Sequence, residues 1–126
     1  MYTDKGISYL DSFEDFVKQN DLYAIIPQNL KSKEELLNTI AEQLHFPLYF
    51  GKNWDALYDC MNDFTWTNCF RIVIVHKDLP VIGDDNLKIY LNILSESVAE
   101  WKSRNEHKLF IIFPSDKMSE VRRLLD

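Results

Sequence analysis

The sequence predicts an α/β protein: a three-stranded parallel β-sheet packed with α-helices, with an extra helix at the N-terminus. Three apolar runs carry the prediction, at residues 22–27 (LYAIIP), 70–75 (FRIVIV) and 109–113 (LFIIF). None alternates polar with apolar residues as a strand with one wet face does, so each reads as a strand covered on both sides, the parallel case. Amphipathic segments of helical period separate the runs. That order builds a parallel sheet through right-handed crossovers.

The elements follow in order. Leu10, Phe13, Phe16 and Val17 recur at helical spacing, which predicts a first helix over about 9–19. The first strand, 22–27, closes on Pro27. Ser32 and Glu35 form a capping-box pattern, each side chain able to satisfy an orphan backbone N–H. The helix they open carries Leu36, Leu37, Ile40, Ala41 and Leu44 on one face and should stop near His45, before Pro47. Asn53 has the chemistry of an N-cap, and Asp55 sits in the first turn, where the positive helix end favours an acid. After the second strand, Pro80 and Gly83 break the chain. A helix of about 18 residues follows, with Leu87, Leu91, Leu94, Val98 and Trp101 on its buried stripe. Pro114 closes the third strand, and Asp116 is placed to cap a last short helix containing Val121, Leu124 and Leu125.

Bulk properties narrow the function. At 126 residues, 46% hydrophobic and 27% charged, the chain is expected to form one globular domain over 1–126. Its net charge of −6 disfavours nucleic acid and anionic membrane as ligands and favours a basic partner. Cys60 and Cys69 are too few for a disulfide framework and lack metal-finger spacing; they suit reduced thiols in the cytoplasm. The first residues show no secretory core, and no apolar run is long enough to span a membrane. His45, His76 and His107 lie far apart and make no ligand spacing, so structural roles are expected for them. No nucleophile elbow or phosphate-cradling glycine loop is present.

The chemically distinctive segment is 47–64, PLYFGKNWDALYDCMNDF. Between residues 53 and 70 stand Asp55, Asp59 and Asp63 without one Lys or Arg. Like charges at i,i+4 cost a helix a few tenths of a kcal/mol per pair. At 100° per residue, Trp54, Leu57, Cys60, Met61 and Phe64 share a core arc. Asp55, Tyr58, Asp59, Asn62 and Asp63 share the opposite, exposed arc, and Tyr49 and Phe50 precede them in the loop. Three readings fit the exposed arc. It is a solvated face, a metal or acid–base site built on Asp55 and Asp59, or a docking face for a cationic partner. The third explains both the missing cations and the flanking aromatics, which supply contact area around charged anchors.

The segment resembles the signature of the barstar family, intracellular inhibitors of barnase-type ribonucleases. Pro47, Tyr49, Gly51, Asn53, Asp55, Ala56, Leu57, Asp59 and Cys60 carry the match. The resemblance extends over roughly 22–113 through the order of strands and helices, leaving residues 1–20 as an N-terminal extension. It implies a barstar-like three-stranded parallel sheet and a non-catalytic protein without metal or cofactor. Its implied partner is a basic barnase-type ribonuclease or ribonuclease toxin domain. By position, Asp59 would enter the pocket that holds an RNA phosphate, Asp55 would pair with cations at its rim, and Tyr49 would pack on the catalytic histidine. Gly51 and Asn53 would shape the loop. The sequence departs from the family at Tyr58, where Trp is frequent, at Lys52, which replaces an acid, and at Asp63, where a small residue is common. Glu96 or Glu100 of the long helix are candidates for a further acidic contact. A monomer is expected. The same acidic face would also serve a general protein-interaction module.

Overall fold

The computed structural model describes residues 1–48 and 50–125. Strands β1 (Tyr2–Asp4) and β2 (Ile7–Leu10) form an antiparallel hairpin. Its two-residue turn places Lys5 at φ 52° and Gly6 at φ 81°, the left-handed pair whose twist suits a tight hairpin. The apolar runs become β3 (Leu22–Ile26), β4 (Arg71–His76) and β5 (Lys108–Pro114). The order across the sheet is β1-β2-β5-β4-β3. Strands β2, β5, β4 and β3 run parallel to one another, with Ile7 opposite Ile111, Ile111 opposite Ile74, and Ile74 opposite Ala24. The three-stranded parallel sheet is therefore present but enlarged to five strands by the hairpin.

Helices α1 (Lys33–Gln43), α2 (Trp54–Met61), α3 (Asp84–Lys102) and α4 (Met118–Leu125) share one core with one face of the sheet. That face presents Ile7, Tyr9, Ala24, Ile26, Ile72, Ile74, Leu109, Ile111 and Phe113, the alternate residues of each strand. Each fully buried aliphatic side chain there stabilises the fold by about 1.5–3 kcal/mol.

No helix forms over 9–19. Leu10 belongs to β2, and 11–21 runs as turns and extended chain. Phe13, Phe16 and Val17 pack with Leu10 against Val73, Val75 and Ile112 on the sheet face that carries no helix. The 3–4 residue spacing recorded burial on a flat surface, which successive turns satisfy as well as a helix does. Arg71 staples this segment. Its Nη2 donates to the Phe16 carbonyl at 2.9 Å, and its guanidinium lies 4.8 Å from the Phe16 ring and 5.0 Å from the Phe110 ring. Its Nε stands 3.2 Å from Asp21 Oδ1, close enough for ion pairing though without hydrogen-bond geometry. The strands are apolar on both faces because helices cover one and this N-terminal segment covers the other.

Two helix ends also differ from expectation. Helix α2 stops at Met61, with Asn62 as C-cap and Phe64 at φ 51°. Asp116 lies within a 3-10 turn (Ser115–Lys117) that leads into α4 and makes no cap. Ser32 does cap α1, accepting the Glu35 N–H at 3.1 Å, while Glu35 reaches back to the Lys31 N–H at 3.2 Å. At the β3 edge, the Gln43 amide accepts from Ile25 N and donates to Ile25 O, at 2.7 and 2.9 Å. It takes the place of a neighbouring strand and blunts that edge. Among the described residues no helix is long and apolar enough to cross a membrane.

Candidate functional site

The loop before α2 rests on an aromatic base. Phe46 meets Phe50 edge-on at 5.0 Å and Trp66 at 5.7 Å, and Trp66 stands 5.3 Å from Phe64. The Trp66 indole N–H donates to the Leu44 carbonyl at 3.0 Å, fixing the chain where α1 ends. Lys52 takes a left-handed φ of 54°. A side chain at Gly51 would place its Cβ 3.3 Å from Asn53 Nδ2, so glycine lets the loop close against the cap. Asn53 is extended, and its Oδ1 accepts the Ala56 N–H at 2.7 Å. Tyr49, expected to contact the partner, lies outside the described residues.

Within α2, Leu57, Cys60 and Met61 are buried, and Trp54 and Tyr58 are half-buried against the same core. Asp55 and Asp59 are exposed, one turn apart. Among the described residues no Lys or Arg forms an ion pair with Asp55, Asp59 or Asp63; the ion pairs lie elsewhere. The Cys60 thiol is pushed up to about 11 by burial first and by the Asp63 and Asp59 charges second, which keeps it protonated and unreactive. Among the described residues no three His, Cys, Asp or Glu side chains converge to hold a metal.

This geometry sits wholly inside a recognised family segment: the sequence model of the family described as Barstar (barnase inhibitor) matches residues 21–114. The chain belongs to the Barstar family. No match was found to an individual curated protein. The Barstar match includes β3 to β5, α1 to α3 and the loop, and leaves β1, β2 and α4 outside it. At the level of the Barstar family, the role is inhibition of barnase-type ribonuclease.

On this Barstar framework the exposed arc is narrower than helical phasing suggests. Asn62 turns inward: its Nδ2 donates to Tyr58 O at 2.8 Å and to Ser97 Oγ at 3.2 Å, and its Oδ1 is buried without a partner. Asp63 follows the helix end and is half-buried. Both depart from the expected exposed arc because α2 closes at Met61, so 100° phasing no longer applies beyond it. Glu96 and Glu100 are exposed on α3, each one position before a residue that bonds the α2 end, Ser97 and Trp101.

The bonds that position α2 gave no signal in the sequence, which marked Trp54 and Trp101 as core residues without naming their partners. The Trp101 indole donates to Met61 O at 2.8 Å, and Arg104 Nη1 donates to Asn62 O at 2.7 Å. A cation at a helix C-terminus is favourable through the helix dipole. At the other end, Trp54 Nε1 donates to Asn86 Oδ1 at 3.3 Å, and the Trp54 ring stands 5.2 Å from the Lys33 ammonium and 6.1 Å from the Tyr90 ring. Tyr90 in turn meets the buried His76. A carbonyl can only accept, so His76 Nδ1–H donates to Ile112 O at 2.9 Å. Nε2 then accepts the Tyr90 hydroxyl at 2.6 Å. The hydrogen-bond partners Asn86, Ser97, Trp101 and Arg104 lie 32 to 42 residues from the α2 residues they hold, beyond any local pattern.

Proposed function

We propose that this Barstar family member blocks the active site of a basic barnase-type ribonuclease or ribonuclease toxin domain, using α2 and the loop before it. The carrying observation is the pair Asp55 and Asp59: exposed, one turn apart on a capped helix, and without an ion-pair partner among the described residues. A carboxylate on a rigid helix can stand where a nucleotide phosphate would, accepting charge-assisted hydrogen bonds from Arg and Lys. Asp59 is the residue that enters the phosphate pocket, Asp55 pairs at its rim, and Tyr49, Gly51, Asn53 and Tyr58 shape and flank the contact. The protein does no catalysis itself and works in the cytoplasm, where it protects the cell that makes the nuclease. Because α2 is held by Trp101, Arg104 and Asn86, little ordering is needed on binding, which favours affinity.

The test is a titration of the protein into RNA-cleavage reactions of a panel of barnase-type ribonucleases, including any encoded beside it. Stoichiometric loss of cleavage is expected with at least one of them. If no panel member is inhibited, the reading fails.

A further inference from the structure

The end of the sheet where β4 and β5 begin carries a cavity of about 330 Å³ that the inhibitory reading does not use. Small-molecule sites start at roughly this size, ~300 Å³, and are mainly apolar with a few placed polar groups. Val98, Trp101 and Leu109 form the floor and are themselves nearly buried. Phe70 stands at the rim with 55% of its surface exposed, an aromatic face the fold leaves uncovered.

We propose that this cavity binds a flat aromatic ring carrying a single phosphate group. Charge selects the phosphate. Lys102, Arg104 and Lys108 line the cavity and no carboxylate does, in a chain whose net charge is −6. Lys102 makes no ion pair among the described residues. The Arg104 guanidinium lies 3.9 Å from the Trp101 ring; it spends Nη1 on Asn62 O and Nε on Glu106, at 2.7 and 3.3 Å. The Glu106 carboxylate therefore offsets its charge. Lys108 also lines the cavity and, like Lys102, makes no ion pair among the described residues; its ammonium lies 5.2 Å from the Phe110 ring. These two lysines suit a doubly charged anion better than a carboxylate.

The ring follows from the walls. Phe70 and the Trp101–His107 pair, 5.0 Å apart and edge-on, offer aromatic surfaces to a planar guest. His107 Nδ1 is committed to the Cys69 carbonyl at 2.8 Å, which leaves Nε2 to meet a polar group of the guest. A nucleic-acid strand does not fit this description, because the net negative charge repels a polyanion. One phosphate beside an apolar body meets the local cations only. The site is distinct from Asp55 and Asp59, whose charge would repel the same ligand.

The experiment is calorimetric titration of the full chain with phenyl phosphate and with adenosine monophosphate, against inorganic phosphate and phenol as half-ligands. Saturable one-to-one binding of at least one aromatic phosphate is expected, with both half-ligands weaker by about tenfold or more. Lys102→Glu and Phe70→Ala change exposed side chains; each should weaken that binding by about tenfold while leaving the thermal melt in place. Absence of saturable binding by either aromatic phosphate overturns the proposal. So does equal binding of inorganic phosphate, or binding that both variants leave unchanged.

Discussion

Asn53 Oδ1 accepts the Ala56 N–H at 2.7 Å, and this one bond sets where α2 begins. It also sets the phase of Asp55 and Asp59, two and six residues further on. Replacing the cap removes the partner of an otherwise orphan N–H. Asn53→Ala is therefore expected to lower stability by about 1 kcal/mol, read as a shift in the urea midpoint at unchanged slope. It should also weaken inhibition, since the first turn frays and carries Asp55 with it.

Asp59→Ala is expected to be the costliest single truncation for ribonuclease binding, raising Kd by about thirtyfold or more, equivalent to ~2 kcal/mol. An aspartate of a barstar is among the largest single-residue losses known at an interface, so the ranking leans on that analogy. Asp55→Ala and Tyr49→Ala should follow. The folded state should not suffer, because removing one of two like charges at i,i+4 relieves repulsion. Inhibition constants measured beside thermal melts separate the two effects. Unchanged binding by Asp59→Ala would rule out the docking mode even where inhibition is real.

Association should slow as salt rises, since exposed carboxylates steer a basic partner through a field that salt screens. Stopped-flow association rates across a salt series check this. Asp55→Asn should flatten the slope, whereas Glu14→Gln, in the N-terminal segment beyond the sheet's helix-free face, should not.

Acid should destabilise the fold through His76. Burial holds its pKa down to about 3, against 6.5 for the free side chain. Between those values the unfolded chain takes up a proton that the folded chain refuses. Its contribution is complete above pH 6.5 and shrinks as pH falls towards 3, at roughly 1 kcal/mol per pH unit. Carboxylates titrate in the lower part of the same window, so the check is a difference: His76→Gln should show a shallower fall in unfolding free energy between pH 6.5 and 5.

Arg71→Ala is expected to release the N-terminal segment. It removes the donor to Phe16 O and the cation beside two rings, and it leaves the Asp21 carboxylate, 3% exposed, with only the Lys18 N–H at 2.8 Å. A loss of about 2–3 kcal/mol is expected, below the ~3–5 kcal/mol of a fully uncompensated buried charge because the Lys18 N–H remains. Hydrogen exchange should rise first in residues 12–20, where the backbone has few partners besides this one.

The sequence carried the parallel sheet because residues 72–75 and 109–113 are apolar without alternation, and only a strand covered on both faces tolerates that. It carried the α2 start because Asn53 caps through a bond three residues away, within reach of local reading. It failed at 9–19, where Phe13, Phe16 and Val17 sit at helical spacing but lie flat on Val73, Val75 and Ile112. Periodicity reports which residues are buried, and a sheet face buries them as readily as a helix groove does.

By itself, then, the sequence determined the α/β class, the capped acidic helix and the family segment, since each rests on residues a few positions apart. Tertiary structure alone decided the rest. The hairpin joins the sheet through β5, more than 100 residues distant in the chain. Arg104 and Trp101 hold the end of α2 across 42 and 40 residues. Asn62 is turned inward by Ser97, 35 residues away. Those choices depend on which surfaces meet after collapse, and a linear pattern carries no record of that.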